Sequence, residues 1–288
     1  MTAPRAAGPS GRTCVYKITL KEPHLKILIL SPHRDDAAFS LSIAITNWLT
    51  TRHTVTILNI FTRSRYAPYS DAGFVHENDE LSYVSAMRLR EDELFVRRIT
   101  ETLPKGLKSN LHMVDLNLKD APIRLRIPLE ELSDTAVNPA DSAIEKIRKA
   151  LAKQSEAGTL EALVLPAALG NHVDHLTVRE AAMPLTTTIP AAFYEDLPYA
   201  TTHPSAATDL ESLRESAEQR NEPLSPVLYQ IESAVERKRK LILGYASQID
   251  EAAGTLISNF ATRYNGGERL WANSAWLDAF TATSPPNR

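Results

Sequence analysis

Lys26-Ile27-Leu28-Ile29-Leu30-Ser31-Pro32-His33-Arg34-Asp35-Asp36 is the stretch on which the fold turns. Residues 26–30 form a compact apolar run of the kind expected for a strand covered on both faces. Past Asp36 the pattern changes, and Ala37, Leu41, Ala44, Ile45 and Trp48 recur at helical spacing. Two aspartates in the first turn suit the positive end of a helix dipole. Residues 53–61 then return to a β-rich run with Val55, Ile57, Leu58 and Ile60. Strand, helix and strand in so short a span make a βαβ unit, whose crossover should be right-handed.

The alternation continues outward from that unit. Residues 79–102 read as a charged amphipathic helix, 111–116 as a strand and 141–154 as a helix with Ile144, Ile147 and Leu151 on one side. Leu163-Val164-Leu165 is a strand ending at Pro166, a helix begins at His175, and residues 191–194 complete a short strand. The succession predicts a Rossmann-like α/β fold: one mostly parallel sheet flanked by helices. It occupies a single domain over residues 13–288, after a flexible tail at 1–12. Residues 200–226, with Pro, Ser, Glu and Asn and little periodicity, are expected to be a surface excursion. Residues 227–259 are expected to form one long helix, bent at Gly244. No internal repeat or low-complexity tract is found.

Composition narrows the function classes. The 288 residues can bury a proper core, and 43% hydrophobic with 23% charged residues is ordinary for a globular protein. A formal net charge of −3 provides no broad basic field, so nucleic acid is not the expected partner. Cys14 is the only cysteine, which excludes an intramolecular disulfide framework and a cysteine-based zinc site. The N-terminus has no apolar signal core, and no apolar stretch approaches the roughly 18 to 20 residues of a membrane helix. The expected localisation is cytoplasmic and the expected partner a small molecule.

Two clusters carry the chemistry, Ser31 to Asp36 and Asn171-His172-Val173-Asp174-His175. Each follows an apolar strand and opens a helix, and α/β sheets gather their ligands beyond the carboxyl ends of their strands. His33 and Asp36, three apart at a helix mouth, can turn to the same side and share a divalent metal. Asp35 then lies beside the metal, placed to take a proton from its water. One of His172 and His175 can complete a His-Asp-His set, leaving the other to stabilise an oxyanion or protonate a leaving amine. Asp174 can fix the tautomer of a neighbouring imidazole. Helix capping by Asp35 and Asp36, and two histidines beside a turn, are the plainer readings of each cluster alone. Their joint position at strand ends favours a metal-dependent hydrolase.

The pair resembles the signature of the PIG-L (LmbE-like) zinc-dependent N-deacetylases, an H-P-D-D-E motif after the first strand and a later H-P-D-H. His33, Asp35 and Asp36 match the first, and His172, Asp174 and His175 match the second. Weaker likeness continues through Arg88-x-x-Glu91, Asp120-Ala121-Pro122-x-Arg124, Phe193 to Tyr199 and Tyr245-Ala246-Ser247-Gln248, spanning residues from about 25 to 272. The resemblance implies His33, Asp36 and His175 as ligands of one zinc ion, Asp35 as general base, and His172 as oxyanion stabiliser and acid. Asp174 would orient a histidine, and Arg88 and Asp120 match positions that hold substrate hydroxyls. Arg34 stands where the family has Pro and Ala37 where it has Glu. Arg34 would add a cation near the pocket, to engage an acidic group on the ligand.

The expected activity is removal of an acyl group from an N-acylated sugar, glycoside or similar amine. A metal-dependent glycosyltransferase would need the adjacent carboxylates but not the His-x-Asp-His cluster. A non-catalytic relative would have no reason to keep ligands, base and acid together. A dinucleotide site is excluded, since the turn after Leu30 has no Gly-x-Gly-x-x-Gly. Arg63 and Arg65 read as solvated loop cations, the 71–80 segment as an acidic loop, and the 236–240 charge run as a solvent face.

Overall fold

The expected first strand is β1, Lys26–Ser31, and its alternation explains why the apolar run is unbroken. Ile27 and Ile29 enter one core with Trp48, Phe95, Tyr245 and Trp276. Leu28 and Leu30 enter the core on the opposite face, with Ile144, Ile147, Leu163 and Phe193. A strand covered on both faces needs apolar side chains at every position. The computed structural model describes residues 24–70, 73 and 76–281. The expected tail at 1–12, Cys14 and Asp71 of the acidic loop lie outside the described residues.

The remaining strands are β2 (Thr54–Asn59), β3 (Leu111–Asp115), β4 (Ala162–Pro166), β5 (Ala191–Tyr194), β6 (Ser225–Gln230) and β7 (Gly267–Ala272). The helices are α1 (Asp36–Thr50), α2 (Glu77–Glu101), α3 (Ala121–Arg124), α4 (Ser142–Glu156) and α5 (Val173–Thr186). They continue with α6 (Tyr199–Thr202), α7 (Ala206–Gln219), α8 (Ala234–Ile242), α9 (Glu251–Phe260) and α10 (Ser274–Thr281). One seven-stranded sheet runs β3-β2-β1-β4-β5-β7-β6. Its first five strands pair in parallel, and β7 lies antiparallel between β5 and β6. The expected mostly parallel α/β sheet flanked by helices is therefore observed.

The strand order reverses between β1 and β4, which pair through Ile27 with Ala162 and Ile29 with Val164. Such a switch point opens a crevice, because the connections after the two strands leave in opposite directions. The His33 and His172 clusters follow these two strands.

Two expectations are corrected. The 200–226 segment is no structureless excursion: α7 occupies most of it, with Ala206, Leu213 and Ala217 buried. Those residues, with Leu210, recur every three or four positions and pack on the second core. Nor is 227–259 one helix. It begins inside β6, whose exposure alternates between the faces, and continues as α8 and α9 with a non-helical link. The break falls beside Gly244, where a Cβ would stand 3.0 Å from Arg98 Nη1 and 3.2 Å from the Leu241 carbonyl. Asp250 then caps α9 by accepting from the Ala253 amide at 2.8 Å.

The 236–240 charge run is likewise only partly a solvent face. Lys238 is buried and donates to Glu268 Oε1 at 2.6 Å. The other Glu268 oxygen accepts from the Ile43 and Ala44 amides at 3.0 and 2.8 Å, tying β7 to α1.

Candidate metal centre and active-site cleft

The β1–β4 switch point brings together His33, Asp36 and His175, whose ligand atoms lie within 4.8 Å of one another. Asp36 Oδ2 lies 3.2 Å from His33 Nδ1 and 3.3 Å from His175 Nε2. His175 Nε2 is buried and has no hydrogen-bond partner among the described residues. An orphaned imidazole nitrogen facing a carboxylate and a second imidazole is what a divalent cation would complete.

The opposite ring nitrogens are each backed by a carboxylate. His33 Nε2 lies 3.0 Å from Asp174 Oδ2, and His175 Nδ1 lies 2.7 Å from Asp196 Oδ1. This carboxylate–imidazole arrangement fixes the tautomer that aims a lone pair at the metal position. Asp174 is held in turn by the Ala121 amide at 2.9 Å and by Arg124 Nη2 at 2.9 Å. His33, His172 and Asp174 also lie within ligand distance of one another. There the carboxylate is already neutralised by Arg124, and His172 Nδ1 accepts the Asp174 amide at 3.2 Å. The first set is the better cation site. Among the described residues, both groups that could hold a metal are at this one place.

Electrostatics agree with a cation-binding arrangement. Burial works against a charged His33, yet hydrogen bonds to Asp174 and Asp36 outweigh it and raise the imidazole from 6.5 to about 10. Burial also opposes ionisation of Asp36, but His175 and His33 hold its carboxyl well below the usual range. His172 goes the other way: burial, with His33 and His175 nearby, lowers it to about 3. His172 is therefore neutral near pH 7. Because its Nδ1 accepts from the backbone as the N-cap of α5, the proton resides on Nε2.

His33, Asp36 and His172 line a cavity of about 350 Å³ together with Asp35, Arg88, Asp120, Tyr66, Tyr199 and Gln248. Arg88, buried in α2, donates to Asp35 Oδ1 at 2.6 Å. Glu91 does not pair with Arg88; it accepts from the amide and hydroxyl of Ser247, both at 2.8 Å. Asp120 keeps one buried carboxylate oxygen without a hydrogen-bond partner among the described residues.

Arg34 is not part of this cavity. Its guanidinium turns into the protein, to Asp92 Oδ2 at 2.7 Å and Asp115 Oδ2 at 2.6 Å, and is 4% exposed. The expectation that it engages an acidic ligand group is corrected: the buried Asp92 and the half-buried Asp115 take that charge. Ala37 is buried against the first core, and its amide is met by Ser31 Oγ at 3.0 Å. Asp196, Arg124 and Tyr199 received no role from the sequence. Asp196 stands two residues beyond β5, past the carboxyl end of a parallel strand as both clusters are.

No family model matches the chain. The 2'-N-acetylparomamine deacetylase of Streptomyces fradiae is 32% identical over 257 residues, covering 85% of this chain and 81% of that protein. Among solved structures, the A40926 pseudoaglycone deacetylase superposes with a TM-score of 0.59 at 19% identity, over 88% of this chain and 99% of that one. The zinc-inhibited form of a teicoplanin deacetylase gives 0.59 at 19% identity, over 86% and 98%. The N,N'-diacetylchitobiose deacetylase of Pyrococcus horikoshii gives 0.52 at 16% identity, over 85% and 82%. These likenesses describe a shared fold; the sequence match goes further, and by it this chain belongs to the family of the Streptomyces fradiae 2'-N-acetylparomamine deacetylase.

Proposed function

We propose that this chain is a PIG-L (LmbE-like) N-deacetylase, a cytoplasmic zinc-dependent hydrolase that frees the amine of an N-acylated sugar or glycoside. The observation that carries the reading is the convergence of His33 Nδ1, Asp36 Oδ2 and His175 Nε2 on one point, with Asp35 and His172 lining the same cavity. In this reading those three residues hold one zinc ion. When bound, it supplies Lewis acidity toward the acyl carbonyl and lowers the pKa of water in the site.

The protein's own groups do the rest. Asp35 is oriented through Oδ1 by Arg88, and its Oδ2 has no hydrogen bond among the described residues. That oxygen takes a proton from the attacking water. His172 presents a neutral Nε2–H, so it serves as a hydrogen-bond donor to the acyl oxygen rather than as an imidazolium acid. The proton held by Asp35 then passes to the leaving nitrogen as the C–N bond breaks, giving a carboxylic acid and a free amine. Arg88 and Asp120 line the sugar side of the cavity, where the unpartnered Asp120 oxygen suits a substrate hydroxyl.

The test pairs elemental analysis with product release. The purified protein should contain about one zinc per chain. It should release acetate from N-acetylglucosaminides or from 2'-N-acetylparomamine, and lose that activity to a chelator. Full activity in chelator, or zinc retained at wild-type level in both His33→Ala and His175→Ala, would refute the reading.

A further inference from the structure

Tyr199 has no place in the scheme above, yet it stands in the middle of the site. It opens α6, three residues beyond the Asp196 that backs His175. Its position is firmly set. The Ala200 amide donates to the Asp196 carbonyl at 2.7 Å, the His203 amide donates to the Tyr199 carbonyl at 2.9 Å, and the Leu197 amide donates to Ser40 Oγ at 3.0 Å. The ring meets His175 edge-on at 5.5 Å between centroids and lies 6.0 Å from His172.

Two further observations bear on what the ring does there. The loop that delivers His172 passes against it at Gly170, where a Cβ would stand 3.0 Å from Tyr199 Cδ1 and 3.1 Å from Tyr199 Cβ. Only a residue without a side chain lets the phenol sit this close to both histidines. The Tyr199 hydroxyl, moreover, makes no hydrogen bond among the described residues, although the residue lines the cavity. A half-buried hydroxyl beside a metal centre, unpaired within the protein, is available to a ligand.

We propose that Tyr199 is a further catalytic residue: its hydroxyl donates to the substrate's acyl oxygen, forming with His172 Nε2–H a two-donor pocket for the charge that develops there. This rests on the hydrolase reading above. The phenol keeps its proton throughout; no bond is made or broken at Tyr199, and water, acyl carbon and leaving nitrogen account for all transferred protons. Because His172 Nδ1 accepts the Asp174 amide, its Nε2–H is the nitrogen left to donate, and two donors aimed at one oxygen stabilise the charge that develops on it.

Tyr199→Phe tests this directly, since it keeps the ring packed on His175 and removes only the hydroxyl. The expected result is a kcat about 10²-fold lower, with KM within about twofold and zinc content and melting temperature unchanged. The methylphosphonamidate of glucosamine, a tetrahedral mimic, should bind the variant more weakly by about the same factor. Wild-type kcat in the variant, an effect confined to KM, or loss of zinc would each overturn the proposal. An active wild type with an unaffected Tyr199→Phe removes the role of Tyr199 alone. A wild type releasing acetate from no N-acylated sugar removes the hydrolase reading and this role with it.

Discussion

Asp196→Asn probes whether the carboxylate behind His175 tunes the metal site or merely fills space. In the wild type Oδ1 accepts from His175 Nδ1 at 2.7 Å and Oδ2 accepts from the Leu169 amide at 3.0 Å. Asp196 and His175 are both essentially inaccessible to solvent. Burial raises the Asp196 carboxyl and contact with His175 pulls it back, so the charge there depends on that imidazole. Asparagine has a single acceptor oxygen. Whichever way the amide turns, one N–H of the pair faces an NH₂ group and is left unpaired. An unpaired buried donor costs about 1 to 3 kcal/mol of folding stability. Loss of an anionic partner behind a metal-bound imidazole typically costs 10- to 100-fold in metal affinity, about 1.4 to 2.8 kcal/mol. Competition with a calibrated chelator gives the affinity, and urea unfolding of the metal-free protein gives the stability separately. A variant that loses stability yet binds zinc as tightly as the wild type would show that Asp196 supports the Leu169 turn and does not tune the ligand.

Asp35→Asn should retain zinc while turnover falls by roughly 10² to 10⁴, the usual contribution of a positioned general base; wild-type turnover would leave Asp35 only as the ion-pair partner of Arg88. Zinc uptake by the metal-free protein at pH 7.5 should release at least one proton per ion, because His33 is raised to about 10 and His175 is also raised. Calorimetry in buffers of different ionisation enthalpy measures that number, and zero would refute the assigned protonation. The sign for stability follows: the raised His33 stabilises the metal-free fold fully below about pH 6.5, and that contribution is lost as pH rises through about 10. Lys238→Ala leaves the buried Glu268 carboxylate without its cation and should cost about 3 to 5 kcal/mol in urea unfolding. Glu236→Gln, on the exposed side of the same helix, should leave the midpoint unchanged.

Much of this protein was legible before any coordinates. The apolar residues 27–30 dictated a two-sided strand because every position between two covered faces has to be apolar, and the cores built from Ile27 and Ile29 and from Leu28 and Leu30 are that requirement met. The His33–Asp36 and His172–His175 spacings pointed to the candidate site because the residues at a helix mouth are set by local sequence, and the fold brings His33, Asp36 and His175 together. Where reading failed, the deciding interactions were between residues far apart in the chain. β6 became a strand because β7, more than 30 residues later, offers it a partner, and sequence periodicity over 227–230 is too short to announce that pairing. Lys238 looked like a surface lysine until Glu268 came within 2.6 Å of it. Arg34, adjacent in sequence to a candidate ligand, could be assigned to the substrate or the interior only once Asp92 and Asp115 were placed around it, 58 and 81 residues away. Asp196 and Tyr199 entered the site for the same reason. Elements and motifs follow from neighbours along the chain; the direction in which a charged side chain turns follows from what folding brings to meet it.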